Sequence, residues 1–436
     1  MKVKIIGAGL AGSEAALQLA KRGIEVDLYE MRPVKMTGAH TTEKLAEFVC
    51  SNSMGSYDLS VASGLLKKEM ELLGSELIKI AFDVKVPAGN ALAIDREEFS
   101  KRVTELIEAN PLINLVREEV NEIPEGDVII ASGPLTSDSM AKSIQEFTQE
   151  EHLHFFDAVA PIVEKDSINF DKAFYGSRYD KGEASYINCP MNKEEYEKFY
   201  NILINAERIE LKEFEKNAKF FESCLPVEVL GSRGVDTLRF GPMKPVGLVD
   251  KRTNEINYAV VQLRQDNALK TLYNLVGFQT NLKWSFQKEL IHSIPGLENA
   301  NIVRYGVMHR NTFINSPRIL TNKLNTKKRD NLFFAGQITG VEGYTESMAS
   351  GLIAGINMAK YIKGEQMLEM PSECILGALL NYITDENHKQ LQPVNSNWAL
   401  INNIELPKKI RKDKKAKAEI LANRSLEALS GVLNTL

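Results

Sequence analysis

The sequence predicts an α/β fold: a doubly wound, Rossmann-type dinucleotide-binding domain interrupted by an inserted α/β domain. Three observations predict it. A short apolar strand at residues 3–6 runs straight into the glycine fingerprint Gly7-Ala8-Gly9-Leu10-Ala11-Gly12. A second apolar strand followed by a glycine turn, Asn331-Leu332-Phe333-Phe334-Ala335-Gly336-Gln337, appears near the other end of the chain. Between them, from about residue 155 to 297, short strands, turns and charged helices alternate. The expected division is residues 1–155 and 300–436 for the two parts of the nucleotide domain, with 156–299 inserted.

The elements follow in order. After the fingerprint, an alanine- and leucine-rich helix runs to about Lys21, and Gly23 ends it. Residues 25–30 form a second strand closing on Glu30. Residues 37–63 are polar and irregular, which suits a functional loop. Apolar spacing predicts one helix over 65–79. Asp95 is placed to cap a helix reaching Ala109, with Glu98 in the capping-box position. Residues 127–134 read as a buried strand entering a Gly-Pro turn and rejoining the first domain. Residues 239–247 read as a rigid loop at the centre of the insert. Residues 345–362 form a helix with Ala349, Gly351, Ala354 and Gly355 on one face, small enough for tight packing or close approach to a ligand.

Composition narrows the function classes. The 436 residues are 44% hydrophobic and 25% charged, enough for a large core in two or three domains. A net charge of −5 excludes a uniformly basic surface, so any nucleic-acid role rests on local patches. One such patch is the stretch from Lys408 to Arg424, which reads as a phosphate-contact helix or as a solvated helix face. Cys50, Cys189, Cys224 and Cys374 are too few and too scattered for a disulfide framework, which points to a reducing compartment. The chain opens on a strand without a signal peptide and contains no membrane-length apolar run, so a cytoplasmic location is expected. The six histidines are scattered, and no metal site is expected.

The fingerprint assigns the nucleotide site. Gly7 permits the tight turn, Gly9 lets pyrophosphate approach the backbone, and Gly12 lets helix pack on strand. The helix N-terminus offers N–H groups and partial positive charge to phosphate. Glu30, 18 residues after Gly12, is placed to accept hydrogen bonds from a ribose. A fingerprint on the first strand suits tightly bound FAD. The later segment Gly336-Gln337 and Gly343-Tyr344-Thr345 supplies a second helix N-terminus that closes over a flavin, or an ordinary strand–helix packing motif. Tyr344 is placed to stack on a planar ring.

The chain resembles the bacterial folate- and FAD-dependent tRNA (uracil-5-)methyltransferases over nearly its whole length. The matching stretches are residues 7–16, Tyr29-Glu30-Met31-Arg32-Pro33, Val49-Cys50-Ser51-Asn52-Ser53, Val86-Pro87-Ala88-Gly89, residues 178–184, residues 240–248 (including Lys244), Tyr305-Gly306-Val307-Met308-His309-Arg310-Asn311-Thr312 and residues 334–337. The related flavoprotein that modifies the wobble uridine shares the FAD motifs but not the Cys50 and 240–248 segments. The resemblance implies cofactor contacts from Gly7, Ala8, Gly9, Leu10, Ala11, Gly12, Glu30, Arg32, Gly336, Gln337, Gly343, Tyr344 and Thr345. It implies that a one-carbon unit passes from methylenetetrahydrofolate, by way of reduced FAD, to C5 of a uridine at position 54 of the tRNA T-loop. NADH or NADPH then reduces the flavin again. By the family pattern Cys50 and Cys224 are the catalytic pair, one adding to C6 and the other handling a proton. The chemistry leaves their order open, with Cys224 favoured as nucleophile. A thiolate suits reversible addition, and its pKa must fall from about 8.5 to act. Cys189 and Cys374 are assigned to packing.

Lys244 is placed either to activate a thiol or contact phosphate, or simply to be solvated. His309 and Arg310 are placed to contact folate or flavin, or to serve structure. The chain departs from the family pattern at Met54-Gly55-Ser56, Ser223, Ser232 and Asn90. Basic residues near such a site hold RNA phosphates, so these departures bear on the RNA target. Large-subunit (23S) ribosomal RNA is the alternative target. A flavin-dependent NAD(P)H oxidoreductase, or an RNA-binding flavoprotein without methyl transfer, is the alternative class.

Overall fold

The computed structural model describes residues 2–150, 153–158, 160–180, 183–209, 225–250, 252–253, 257–306, 308–388, 391–401 and 413–436. The first part contains β1 (Lys2–Ile6), α1 (Leu10–Lys21), β2 (Glu25–Glu30), β3 (Ser53–Ser56), α2 (Ala62–Leu72), α3 (Glu76–Asp83), β4 (Lys85–Val86), β5 (Ala91–Ile94), α4 (Arg96–Glu108), β6 (Ile113–Arg117), β7 (Val128–Ile130) and α5 (Asp138–Thr148). The middle contains β8 (Leu153–Ala158), β9 (Ile162–Glu164), β10 (Phe174–Gly176), β11 (Tyr186–Met191), α6 (Lys193–Asn205), α7 (Val227–Ser232), α8 (Thr237–Phe240), β12 (Ala259–Gln265), β13 (Leu272–Leu275), α9 (Trp284–His292), β14 (Ile302–Arg304) and β15 (Met308–Phe313). The last part contains α10 (Ser316–Ile319), β16 (Leu332–Phe334), α11 (Tyr344–Ile362), α12 (Ile375–Thr384) and α13 (Lys414–Leu433).

A five-stranded parallel sheet runs in the order β16-β7-β1-β2-β6. Its central strands are buried on both faces, which is why Val3, Ile5, Val26, Leu28 and residues 128–130 are all apolar and inaccessible. β7 and β16 join this sheet from either side of the insert, as expected. The insert carries its own six-stranded antiparallel sheet, β10-β11-β12-β13-β9-β14. Tyr196, Phe199 and Leu203 of α6 and Leu290 and Ile291 of α9 belong to its separate core. β14 pairs with β9, so the expected boundary at residue 299 falls short of that sheet's last strand. β8 and β15 pair antiparallel between the two sheets.

Two local expectations change. The helix expected over 65–79 is two helices. Gly74 has φ +80°, and the Ser75 side chain accepts from the Ile78 N–H to start α3. Ser75 and the first amides of α3 also donate to the buried Glu14 carboxylate of α1. The irregular stretch after residue 37 contains β3, paired with β5 in a small antiparallel sheet. Asp95 does cap α4, accepting from the Glu97 and Glu98 amides, but Glu98 turns outward to Arg102 rather than completing a capping box.

α1 and α11 pack almost backbone to backbone. A Cβ on Gly351 would lie 2.2 Å from the Ala11 carbonyl oxygen, and one on Gly12 would lie 1.8 Å from the Gly7 carbonyl oxygen. The small-residue face of the α11 sequence is therefore a helix-packing face, and it brings the α11 N-terminus beside the glycine loop. Gly351→Ala forces the helices apart. We expect it to cost about 2 kcal/mol, in the range for overpacking, and to weaken retention of a bound dinucleotide. Gly431→Ala in α13, where a Cβ meets nothing within 4 Å, should be neutral or gain up to about 1 kcal/mol. Urea unfolding of both variants checks this.

Candidate active site

A cleft opens at the C-terminal edge of the parallel sheet. Its walls include Gly7, Gly9, Leu10 and Ala11 from the fingerprint, Glu30 at the end of β2 and Arg32 after it, residues 131–137 after β7, and Gly336, Gln337 and Tyr344. Ligands bind at this edge of open α/β sheets. Gly7, at φ +100°, lies so close to Ala131 that a Cβ would sit 2.5 Å from its carbonyl oxygen. At Gly9 a Cβ would meet nothing within 4 Å. The loop is thus crowded where it packs and open where it faces the cleft, which fits a pyrophosphate cradle.

Glu30 is buried, and its Oε2 accepts from the Ala8 N–H at 3.2 Å. Its Oε1 accepts from Arg32 N at 3.1 Å and Arg32 Nε at 2.9 Å. Burial opposes the carboxylate charge, but the Arg32 guanidinium outweighs it and holds the carboxyl below the usual glutamate range. Arg32 in turn donates to Glu47 Oε2 and the Thr42 carbonyl. The result is an ionised acceptor at the end of β2, where a ribose diol would sit.

The expected residues separate into those that line the cleft and those that support it. Ala8 and Gly12 are buried behind the loop. Gly343 caps α11 at φ +113°, and Thr345 donates its hydroxyl to the Met54 carbonyl at 3.4 Å, so both brace the wall. Lys244 is exposed on the insert, where its carbonyl accepts from Arg178. Cys224 lies outside the described residues, as do the side chains of His309 and Arg310 on β15. Cys189 and Cys374 are fully buried, and burial pushes both thiols up, Cys374 to about 12. Lys408, Lys409, Arg411 and Lys412 lie outside the described residues, and Arg424 pairs with Glu373.

Cys50 is half-buried and follows Val49, a residue of the cleft lining. Its N–H donates to the Tyr344 hydroxyl at 2.7 Å. The Tyr344 ring packs on Phe48, with centroids 4.1 Å apart. Sequence reading missed what holds this loop. Arg96 Nη1 donates to the Phe48 and Cys50 carbonyls, and Nη2 pairs with Asp266. Arg304 donates to the Val49 carbonyl at 2.8 Å. Asn52, fully buried, donates to the Ile94 and Gln265 carbonyls and accepts from Arg264 and Asn274. The only sequence signal was Arg96 directly after a capping aspartate. Its partner Asp266 lies 170 residues downstream.

The family model described as GIDA, glucose inhibited division protein A, matches residues 2–366. A methylenetetrahydrofolate–tRNA-(uracil-5-)-methyltransferase TrmFO of Bacillus cytotoxicus is 57% identical over 432 residues, covering 99% of each chain. One from Anoxybacillus flavithermus is 57% identical over 436 residues, covering all of both. This chain belongs to the TrmFO family. Among solved structures, Aquifex aeolicus GidA in its form II crystal superposes with a TM-score of 0.69 at 16% identity, covering 99% of this chain and 74% of that one. At that identity the likeness speaks for the fold, and it agrees with the parallel sheet and insert described above. Among the described residues of this TrmFO-family chain, no group of three or more His, Cys, Asp or Glu side chains could hold a metal ion. Nor is any helix among them long and apolar enough to cross a membrane.

The Glu30–Arg32 pair gives a pH-dependent test. A carboxyl held below its ordinary value stabilises the fold fully above that value, about 4.3, and loses the contribution as pH falls through its lower folded value. Glu30→Gln should cost about 3 kcal/mol, the low end for breaking a buried pair, since Arg32 keeps Glu47. In urea titrations the gap between wild type and Glu30→Gln should be constant from about pH 6 to 8 and shrink below about pH 4.

Proposed function

We propose that this chain is a folate- and FAD-dependent tRNA (uracil-5-)-methyltransferase that oxidises NADH or NADPH. The observation that carries the reading is the position of Cys50. In a chain 57% identical over its full length to TrmFO proteins, this residue follows Val49 of the cleft lining, and its backbone N–H is tied to Tyr344 of the cleft wall. The glycine loop would hold the FAD pyrophosphate and Glu30 its ribose, with Tyr344 and the α11 N-terminus at the flavin end. When bound, FAD supplies the one-carbon relay from methylenetetrahydrofolate and the reducing equivalents.

The chain's own residues orient the uracil and move its protons. One cysteine of the pair Cys50 and Cys224 adds to C6, which makes C5 nucleophilic, and the other takes the C5 proton. The departures at Met54 and Gly55 sit inside β3, where Met54 is buried and Gly55 has φ +75°. They shape this small sheet, so their loss of positive charge says little against tRNA.

Incubating the protein with unmodified tRNA and with ribosomal RNA separately, with methylenetetrahydrofolate and NADH, tests the reading. We expect 5-methyluridine in tRNA at T-loop position 54. Label in ribosomal RNA alone would move the target, and NADH oxidation without label would favour an oxidoreductase. Cys50→Ser and Cys224→Ser should each lower methyl transfer at least about 100-fold. Neutralising Lys408, Lys412 and Lys415 should weaken RNA binding and reduce its salt slope by about 1 for each phosphate released from the protein. Unchanged affinity and slope would remove this segment from the RNA surface.

A further inference from the structure

We propose that Arg96 is a positioning residue for Cys50: tethered by Asp266 of the insert, its guanidinium fixes the Cys50 loop and keeps the sulfur as thiolate. The inference rests on the reading of Cys50 as a working thiol.

The geometry carries it. Arg96 is 8% exposed and reaches the carbonyls on both sides of Val49, at 3.3 Å and 3.4 Å. Asp266 anchors the same guanidinium and also accepts from Asn274 Nδ2 at 3.0 Å. Arg96 Nε is buried with no hydrogen-bond partner among the described residues. A buried donor left unmade costs free energy, so such a group calls for a reason to be kept there.

The charges around the loop are unbalanced. Arg96 faces it from α4, Arg304 from β14 and Arg264 from β12, with Asp266 following β12. Tyr344 of α11 meets it at the Cys50 N–H, and Glu47, on the loop's own N-terminal side, is paired with Arg32. Among the described residues, three guanidinium groups therefore stand against one carboxylate not already committed to Arg32. Burial opposes the charge on Arg96, but Asp266, with smaller contributions from Tyr344 and Cys50, keeps it above the ordinary arginine value. Arg304 is pushed down by burial and by Arg96 beside it. An added anion relieves that crowding, and a thiolate is the anion this loop can supply. Cations near a cysteine favour the thiolate.

Two substitutions separate this electrostatic role from plain packing, because they act with opposite sign. Arg96→Met removes the cation. Asp266→Asn keeps Arg96 and removes its counter-charge. The rate of Cys50 alkylation by iodoacetamide, read on the Cys50 peptide by mass spectrometry from about pH 6 to 10 in the flavin-loaded protein, gives the thiol's midpoint. We expect Arg96→Met to raise it by about one pH unit, a tenfold lower thiolate fraction near neutrality, and Asp266→Asn to lower it. Shifts in the same direction, or none in either variant, overturn the proposal. If Arg96→Met does not fold, Asp266→Asn decides alone: a lower midpoint supports the proposal, and an unchanged or higher one overturns it. The readout needs no methyl transfer, so it stands or falls separately from the assignment of RNA substrate.

Discussion

The arginine fork across the Cys50 loop is the interaction on which the arrangement of the site depends. Residues 48–50 belong to neither sheet. Their carbonyls are satisfied by Arg96 of the nucleotide domain and Arg304 of the insert, and Asn52 is stitched to strands of the insert. A buried pair such as Arg96–Asp266 adds little net stability, but losing one partner typically costs about 3–5 kcal/mol. Its value lies in geometry. The loop is held by groups from both the nucleotide domain and the insert.

The cleft beside it follows from close helix packing. α11 can approach α1 because Gly351 and Gly355 present no side chain to Ala11 and Ala15. That approach brings Tyr344 and the glycine loop to the lining of one space. Buried polar groups fix both walls: Glu30 with Arg32 in one, and Glu346, accepting from Ser396, at the start of α11 in the other. At the nucleotide end the charges are paired internally, whereas around the Cys50 loop the described arginines outnumber the carboxylates.

Much of this was legible in the sequence where the determining contacts are local. The fingerprint, Glu30, Gly23 and the Asp95 cap act within one turn or one βαβ unit, and each appears in the structure where the sequence put it. The small-residue face on residues 345–362 was visible, although its partner helix was not. The break at Gly74 was missed because apolar spacing continues across it, and only the positive φ and the Ser75 cap separate the helices. The arginines were unreadable for a different reason. Arg96, Arg264 and Arg304 resemble surface cations until tertiary pairing with Asp266, Asn52 and distant carbonyls buries Arg96 and half-buries the other two.

Amide hydrogen exchange over residues 45–54 of the full-length protein tests most directly that this loop is pinned from both domains. The Cys50 N–H donates to Tyr344 and the arginines hold the loop around it, so the Cys50 amide should exchange as slowly as those of the buried strands β1 and β12. Exchange as fast as that of the exposed turn at residues 57–60 would contradict the account.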